Sequence, residues 1–106
     1  MIDIENIQKE IVEKLKPLDA QKIILFGSYA YGTPNEDSDL DICIIKDYKS
    51  KIEEKRKVRK LLDDISMPLD ILVVNNEYYN SHSDENWLNT ALYDARFKGE
   101  VLYEKI

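Results

Sequence analysis

Three short and mostly apolar runs constrain the fold of this chain more than any other feature of its sequence. They span residues 22–26, 39–45 and 69–74. Runs of this length without apolar–polar alternation are typical of strands that are covered on both faces. The segments between the runs place apolar residues at helical spacing, so strands are expected to alternate with helices. We therefore predict an α/β fold with a small mixed β-sheet and helices packed on it.

The N-terminal segment has the signals of a helix. Residues 3–16 are predicted to be helical, with Asp3 as the N-cap. The apolar stripe of this helix consists of Ile4, Ile7, Ile11 and Leu15. Pro17 ends the helix, because a proline disfavours the helical conformation of the residue before it. A short helix over residues 28–32 and a short edge strand over residues 101–103 are also predicted.

Two longer helices are predicted in the second half of the chain. Residues 50–64 begin with Ser50 and Glu53, which have the spacing of a capping box. The apolar positions of this helix are Ile52, Val58, Leu61, Leu62 and Ile65. Residues 84–98 have an apolar stripe at helical spacing. The stripe consists of Trp87, Leu88, Ala91, Leu92 and Ala95, and Gly99 follows in the position of a C′ glycine.

Composition and charge narrow the class of protein. A chain of 106 residues is expected to form one domain, residues 1–106. The formal net charge of −6 argues against a nucleic acid as the main partner, and the basic run 51–60 is interpreted as the solvated side of a helix. Cys43 is the single cysteine, which excludes an intrachain disulfide. Because the sequence has neither a signal-peptide pattern nor an apolar run of ~20 residues, we expect a cytoplasmic protein with no membrane contact.

Three aspartates stand at positions that packing alone does not explain. Asp39 and Asp41 are two residues apart in a predicted strand and therefore project from one face, and Asp70 interrupts the third apolar run. Buried carboxylates without partners are costly, and neighbouring carboxylates repel each other. Mg²⁺ removes both penalties, and three carboxylates from adjacent strands fit two such ions about 3.5–4 Å apart, as in in-line phosphoryl transfer. The simpler alternative is that these aspartates cap strand ends or face solvent.

Gly27 and Ser28 follow the first apolar run directly and open the predicted short helix. A glycine allows a phosphate to approach the backbone closely, and a helix N-terminus offers free N–H groups. The serine hydroxyl adds another donor. The pair alone is also compatible with an ordinary turn, and the spacing of a P-loop is absent.

The spacing between these two elements joins them into one signature. Gly27-Ser28, ten further residues and Asp39-x-Asp41 form the pattern G-S-x10-D-x-D. With this pattern the chain resembles the nucleotidyltransferase superfamily that includes DNA polymerase β and antibiotic-modifying enzymes, and most of all its minimal nucleotidyltransferases. The specific match covers residues 25–42, and Asp70 is similar in position to the third acidic residue of the family. By element order, the resemblance extends over essentially the whole chain.

The resemblance implies a polymerase-β-like fold and a role for each residue of the signature. Asp39 and Asp41 would hold two Mg²⁺ ions, and Asp70 would complete the site of the catalytic ion and orient or deprotonate the attacking hydroxyl. Gly27 and Ser28 would bind the β- and γ-phosphates of an NTP, which is expected to be ATP. Attack on the α-phosphorus would be in line, with pyrophosphate as the leaving group.

Tyr31 departs from the family pattern, because many relatives carry an arginine four positions after the glycine. A guanidinium binds a phosphate with two hydrogen bonds, whereas a tyrosine offers one neutral hydrogen bond. The resemblance therefore implies either a lower affinity for the triphosphate or another basic residue in that role. Lys22 and Lys46, which lie near strand ends, are the candidates, with ordinary surface lysines as the simpler interpretation.

The same resemblance suggests a protein as the acceptor. After the core, only one helix and a short tail follow in this sequence, so we do not expect a separate acceptor-binding domain. Small members of this type are typically paired with a HEPN-domain ribonuclease toxin and act as its antitoxin by adenylylating a tyrosine hydroxyl. Aromatic side chains suited to such an interface are Tyr78, Tyr79, Trp87, Tyr93 and Tyr103, with core packing as the simpler role for Trp87.

Two alternatives to protein adenylylation stay open at this point. The chain could neutralise a toxin by covering its active site, although three strand carboxylates are not needed for binding alone. It could also modify a small-molecule hydroxyl, which would need a pocket from a partner or from a second copy in a homo-oligomer. Among single residues, His82 is expected in a solvated loop and Cys43 as a small buried side chain.

Overall fold

The computed structural model describes residues 4–32, 38–87 and 90–105. The strands are β1 (Lys22–Phe26), β2 (Leu40–Ile45), β3 (Leu69–Val74) and β4 (Glu100–Glu104). They form a four-stranded sheet in the order β3-β2-β1-β4. β1 is antiparallel to both β2 and β4, whereas β2 and β3 are parallel. The predicted α/β fold with a small mixed sheet is confirmed.

Helices cover both faces of this sheet. They are α1 (Ile4–Leu15), α2 (Ser28–Tyr31), α3 (Lys51–Leu61), α4 (Asn76–Ser81) and α5 (Ala91–Phe97). Shorter 3₁₀ turns span Lys16–Leu18 and Glu85–Trp87. In the part of the chain that the structure describes, no helix is both long enough and apolar enough to cross a membrane.

The two faces of the sheet form two separate apolar cores. The residues buried on one face, toward α1 and α3, include Ile11, Leu15, Leu25, Ile42, Ile44, Val58, Leu62 and Ile71. The residues buried on the other face, toward α4 and α5, are Ile24, Phe26, Cys43, Ile45, Val74, Tyr79, Leu92 and Ala95. Because both faces are covered, the central strands need continuous apolar runs rather than alternation.

The boundaries of α1 and α3 largely follow the sequence signals. α1 ends before Pro17, which lies inside the following 3₁₀ turn. The predicted cap Asp3 lies outside the described residues. Ser50 caps α3, because its hydroxyl accepts a hydrogen bond from the N–H of Glu53 at 3.4 Å. α3 ends at Leu61, earlier than predicted, because the chain turns after that residue.

The prediction that Ile52 belongs to the apolar side of α3 is wrong. Its side chain is 67% exposed, whereas Val58 is fully buried. The six positions between these residues correspond to about 1.7 helical turns, so the two side chains point to different sides. The buried side of α3 instead includes Glu54, which forms an ion pair with Lys46.

The helix predicted over residues 84–98 is in fact two separate elements. A 3₁₀ turn comes first, and α5 begins only after Thr90, whose hydroxyl accepts a hydrogen bond from the N–H of Tyr93 at 3.3 Å. Because the helix starts anew at this cap, Trp87 is 38% exposed rather than part of a continuous buried stripe. Of the other stripe residues, Leu92 and Ala95 are buried, Ala91 is exposed and Leu88 lies outside the described residues.

The sequence-based prediction does not contain α4, although the cap of this helix is readable in the sequence. The side chain of Asn75 accepts a hydrogen bond from the N–H of Tyr78 at 2.7 Å. Within α4 only Tyr79 is buried. A helix with one buried residue has no apolar periodicity, so the pattern used to find helices fails here.

β4 confirms the predicted C-terminal edge strand and extends it to five residues. Gly99 precedes it and follows α5, as predicted, but its conformation is not left-handed. Close packing explains the glycine, because an added Cβ would lie 2.6 Å from Cγ2 of Ile24 and 3.0 Å from the carbonyl oxygen of Leu25. Gly99 therefore lets the end of α5 pass directly over β1.

Candidate active site

The strand register brings the acidic residues and the Gly-Ser turn to one end of the sheet. β1 and β2 are antiparallel, so the end of β1 lies beside the start of β2, with Phe26 opposite Asp41. β2 and β3 are parallel, with Asp41 opposite Asp70. Gly27 follows Phe26 and therefore lies at the same end. The Asp41 side chain points to the face covered by α4 and α5, since it is two residues from Cys43, which is buried there.

Gly27 lies so close to Asp41 that a side chain does not fit. The φ angle of Gly27 is 77°, a conformation that residues with a Cβ rarely adopt. A Cβ added at Gly27 would also overlap the Oδ2 atom of Asp41. Two independent reasons, backbone conformation and contact, therefore require a glycine in the turn after β1.

Burial and neighbouring charge both act on the carboxyl group of Asp41. Burial, together with the charges of Asp70 and Asp39, raises the pKa of Asp41 to about 6. A carboxyl–carboxyl hydrogen bond with Asp70 contributes to the same increase in pKa. At neutral pH this half-buried carboxylate is therefore ionised against the repulsion of its neighbours. A bound cation would relieve that repulsion.

The carboxylates fit a magnesium ion that is shared with a substrate, rather than a closed metal cage. Within residues 4–32, 38–87 and 90–105, no three acidic, histidine or cysteine side chains gather closely enough to hold a metal by themselves. Asp39 and Asp70 are exposed, and only Asp41 is half-buried. Mg²⁺ is usually bound through one or two carboxylates, with water and substrate phosphates as the other ligands. The oxygen-only donors and the repulsion at Asp41 suit such a site.

The first turn of α2 offers hydrogen-bond donors beside the carboxylates. The first internal hydrogen bond of α2 runs from the N–H of Ala30 to the carbonyl oxygen of Gly27, at 3.0 Å. The N–H groups of Ser28 and Tyr29 therefore have no partner within the helix. Because α2 has only four residues, an anion here would depend on these local donors more than on a helix dipole.

Tyr31 lies at the end of α2, between the carboxylates and α5. Burial raises the pKa of Tyr31, a backbone hydrogen bond from Gly27 lowers it, and the charges of Asp94 and Asp41 raise it again. The ε-amino group of Lys98 lies 5.7 Å from the centre of the Tyr31 ring. Lys98 thus brings a positive charge next to α2. Sequence reasoning missed it, because no local pattern connects α5 with α2.

The two lysines named from the sequence as candidate substitutes for the absent arginine lie at the other end of the sheet. This placement rules out that role and agrees with the simpler interpretation that they lie outside the site. Lys22 begins β1 and forms an ion pair with Glu104 at 3.6 Å. Lys46 follows β2 and forms an ion pair with Glu54 at 2.9 Å. Four residues along a strand, about 13 Å, separate Lys22 from the end of β1 where the carboxylates lie.

The sequence predicts a small buried side chain for Cys43 and a solvated loop residue for His82. Cys43 is fully buried, and burial raises the pKa of its thiol to about 12, which confirms a small buried side chain. His82 is not a solvated loop residue: it ends α4, is partly buried and stacks on the ring of Tyr78. Of the predicted interface aromatics, Tyr78 and Trp87 are exposed, Tyr93 and Tyr103 are half-buried, and Tyr79 is buried.

Solved structures share this fold. A chain in a toxin–antitoxin complex with AMP-PNP matches with a TM-score of 0.66 and 22% identity, over 92% of this chain and 73% of that chain. A chain in the MntA–HepT toxin–antitoxin complex matches with a TM-score of 0.58 and 18% identity, over 92% of this chain and 70% of that chain. A third match, to a complex of tri-AMPylated Shewanella oneidensis HEPN toxin with MNT antitoxin, has a TM-score of 0.56, 19% identity and the same coverage of 92% and 70%.

Sequence comparison adds the family to the fold. A candidate protein adenylyltransferase from Methanocaldococcus jannaschii is 37% identical over 70 residues, which cover 66% of this chain and 70% of that protein. The model of the nucleotidyltransferase domain family matches residues 4–94. The matched segment contains Gly27, Ser28, Asp39, Asp41 and Asp70. Because the match covers most of the chain, the protein is a member of the nucleotidyltransferase domain family.

Proposed function

We propose that this nucleotidyltransferase transfers AMP from ATP to a tyrosine hydroxyl of a HEPN-family ribonuclease toxin, and thereby acts as its antitoxin. The observation that carries the proposal is the direct contact of Gly27 with Asp41, which has Asp70 beside it in register. A turn suited to phosphates, in contact with one of two paired carboxylates, can position a metal-bound triphosphate for in-line displacement at phosphorus.

The comparisons support a protein as the acceptor. The relative from Methanocaldococcus jannaschii is a candidate protein adenylyltransferase. One structural neighbour is a complex in which a HEPN toxin is AMPylated and bound to an MNT antitoxin. Both point to a hydroxyl on a protein surface rather than to a small molecule.

In the proposed reaction, each residue of the signature has a separate task. The hydroxyl of Ser28 and the N–H groups after Gly27 bind the β- and γ-phosphates of ATP. Asp39, Asp41 and Asp70 hold two Mg²⁺ ions together with phosphate oxygens. When bound, Mg²⁺ neutralises charge on the transferred phosphoryl group and on the leaving pyrophosphate.

The chemical step forms one bond and breaks one. The tyrosine oxygen of the acceptor attacks the α-phosphorus in line, the bond from that phosphorus to the bridging oxygen of the β-phosphate breaks, and pyrophosphate leaves. Asp70 orients the tyrosine hydroxyl or accepts its proton. The product is a tyrosine whose oxygen carries AMP.

Lys98 is the proposed cationic partner of the triphosphate. Its ε-amino group lies 5.7 Å from the centre of the Tyr31 ring and 3.8 Å from Oδ1 of Asp94. Tyr31 is the residue that replaces the arginine of the family pattern. A single ammonium binds phosphate with less directional preference than a guanidinium fork. We therefore expect the affinity for ATP to be modest and to depend mainly on Mg²⁺ and on the backbone donors.

Occlusion without catalysis is the second candidate function. Tyr78 and Trp87 are exposed aromatic side chains, a type that is enriched at protein interfaces. Such a surface would serve an antitoxin that only covers the toxin. Three carboxylates at the ends of adjacent strands have no purpose in that case. The Asp41→Asn variant separates the two functions, because it removes the central carboxylate charge of the site without touching the aromatic surface.

Intact-mass spectrometry of a HEPN-family ribonuclease toxin, taken from the same locus where one is encoded there, tests the proposal. That protein is incubated with ATP, Mg²⁺ and either the wild-type chain or the Asp41→Asn variant. The expected result is a gain of one or more AMP units with the wild type and none with the variant. An unmodified protein in a stable complex would favour occlusion instead. Absence of both modification and complex would reassign the acceptor to another class, such as a small-molecule hydroxyl.

A further inference from the structure

A pocket with an aromatic wall opens beside β3, the edge strand that carries Asp70. It has a volume of about 220 Å³ and is lined by side chains from β3, α3, α4 and the region around the start of α5. The residues that form its floor, wall and rim include Lys51, Leu72, Tyr78, His82 and Trp87. The pocket therefore borders the candidate active site without containing any of its carboxylates.

Three rings form the wall of this pocket. The rings of Tyr78 and His82 are stacked, with centroids 3.8 Å apart and an interplanar angle of 7°. The ring of Trp87 lies 4.5 Å from that of His82 and is tilted by 50°. The Nδ1 atom of His82 also lies 3.1 Å from the carbonyl oxygen of Tyr78, which orients the middle ring. Because the wall is ordered before a ligand binds, the entropic cost of binding is reduced.

The two outer rings remain accessible to a ligand. Tyr78 is 44% exposed and Trp87 is 38% exposed. Tyrosine and tryptophan are the residues that most often dominate protein interfaces. At the rim, the ε-amino group of Lys51 lies 6.0 Å from the centre of the Tyr78 ring. The pocket thus combines an apolar floor at Leu72, an aromatic wall and a cationic rim.

The position of the pocket indicates which substrate it faces. Leu72 is two residues after Asp70 in β3, so both side chains point to the same face of the sheet, about 6.6 Å apart. In an in-line displacement, the leaving and the attacking groups lie on opposite sides of the phosphorus. Pyrophosphate is proposed to leave at Gly27, which follows β1, so the attacking hydroxyl approaches from the side of β3.

From this juxtaposition we infer that the aromatic pocket is the docking subsite for the acceptor polypeptide and takes an aromatic or large aliphatic side chain near the modified tyrosine. Residues two positions apart in an extended peptide are about 6.6 Å apart, which equals the separation of Leu72 and Asp70. The anchoring side chain therefore lies two positions from the tyrosine, and Lys51 favours an acidic residue beside the anchor. The inference rests on the proposed adenylylation of a protein.

Steady-state kinetics with the HEPN-family protein as acceptor test the inference. The KM for the acceptor and the KM for ATP are measured separately for the wild type, Trp87→Ala and Tyr78→Ala. The matched control is Phe97→Ala, which removes a ring that is 57% exposed and lies outside the pocket lining. The pocket variants are expected to raise the KM for the acceptor at least about tenfold. Their KM for ATP, and both KM values of the control, are expected to stay within about twofold of the wild type.

The possible results separate this inference from the proposed function. A rise in the KM for ATP alone would overturn the inference and assign the pocket to the nucleobase. Unchanged KM values, or an equal effect of Phe97→Ala, would also overturn it. If the wild-type chain transfers AMP to no protein, the proposed function itself fails before any variant is compared. Trp87→Phe keeps a ring in the pocket, so its KM for the acceptor is expected to stay close to that of the wild type. If Trp87→Ala does not fold, Tyr78→Ala and Trp87→Phe together still test the pocket.

Fluorescence provides a second readout, because Trp87 is the single tryptophan of the chain. The probes are two nine-residue peptides without tryptophan, each with a central tyrosine, that carry either phenylalanine or alanine two positions from it. The emission of Trp87 is expected to change on addition of the phenylalanine peptide and not of the alanine peptide. An equal response to both peptides would contradict the inference.

Discussion

The two ends of the same sheet carry their charges in opposite ways. At the end where β1 starts and β2 stops, charged side chains are paired. The ion pairs are Lys46–Glu54 at 2.9 Å, Lys22–Glu104 at 3.6 Å and Lys105–Asp19 at 2.9 Å. At the other end, Asp41 lies next to two further carboxylates, and its pKa rises to about 6.

The difference lies in what surrounds each acidic group. Burial raises the pKa of Glu54, but the hydrogen bonds and charges of Lys46 and Lys57 together outweigh it, so the pKa is lowered overall. Every cause that acts on Asp41 raises its pKa. A chain adapted only for stability would pair or replace such a carboxylate. The contrast therefore indicates that one end of the sheet stabilises the fold, whereas the other is arranged for a cationic ligand.

The largest expected effect is on activity at the carboxylate end. Asp41→Asn keeps the shape of the side chain but removes its charge, so the rate of AMP transfer is expected to fall about 10³-fold or more. Initial rates with radiolabelled ATP measure this loss. Glu54→Gln, at the paired end, is the control and is expected to retain nearly the wild-type rate. An Asp41→Asn protein with more than a tenth of the activity would contradict the assignment of the site.

The next largest effect is expected from a substitution that disturbs the contact between Gly27 and Asp41. Gly27→Ala introduces a Cβ at a positive φ and against Asp41. We expect a loss of about 2–3 kcal/mol in the free energy of unfolding, measured by urea denaturation, together with a loss of transfer. A variant as stable as the wild type would show that Gly27 and Asp41 are not in contact.

At the paired end, breaking one ion pair should lower stability without affecting transfer. Glu54→Gln leaves the ammonium of Lys46 partly buried without a charged partner. The cost is expected to be about 2 kcal/mol, below that of a fully buried pair, because the two side chains keep 10% and 14% exposure. Lys16→Gln, which breaks the exposed pair with Glu13, is the control and is expected to change stability little. If urea denaturation shows equal effects of Glu54→Gln and Lys16→Gln, the partly buried ion pair stabilises the fold no more than the exposed one does.

Without metal, Asp41→Asn should be more stable than the wild type, because it removes a carboxylate that is disfavoured by burial and by the charges of Asp70 and Asp39. The pKa of Asp41 in the folded chain, about 6, is above its ordinary value of 3.8, so the wild type loses stability as the pH rises from about 4 to above 6. Asp41→Asn lacks this loss. With EDTA at pH 7.5, its free energy of unfolding is expected to be higher by about 1 kcal/mol, a value reduced by solvent screening.

Below pH 4, ionisation of Asp41 should no longer affect the free energy of unfolding, since its carboxyl group is protonated in both the folded and the unfolded wild type. The difference in stability between the wild type and Asp41→Asn that is caused by this charge should therefore disappear. Thermal unfolding between pH 4 and 8 provides the measurement. If the difference in stability between Asp41→Asn and the wild type does not depend on pH, ionisation of Asp41 is not its cause.

The smallest expected effect is at the phosphate-binding turn. Ser28→Ala removes one neutral donor, worth about 1 kcal/mol, so kcat/KM for ATP is expected to fall about fivefold. Lys98→Ala, measured in the same assay, reports whether the ammonium beside Tyr31 contributes to the same step. A loss for Ser28→Ala as large as that for Asp41→Asn would invert the proposed ranking of metal and hydroxyl contributions.

The elements that sequence reasoning found are those with local signals. The three apolar runs are strands because both faces of the sheet are covered, and Ser50 caps α3 through a neighbour three residues away. The elements it missed lack such signals or compete with one. α4 buries a single residue, and the stripe predicted over 84–98 contains Thr90, whose capping hydrogen bond starts a new helix. A local hydrogen bond outweighed the longer apolar pattern there.

The sequence by itself determined the part of the candidate site that lies within one β-turn-β unit. Gly27-Ser28 and Asp39-x-Asp41 meet because the antiparallel strands that carry them pair with each other. Only the tertiary structure decided which residues join them. Parallel pairing brings Asp70 beside Asp41, and the packing of α5 brings Lys98 to Tyr31, whereas Lys22 and Lys46 lie at the far end. Those contacts connect segments that are distant in the chain, so burial and packing of the whole sheet, rather than any local spacing, determine them.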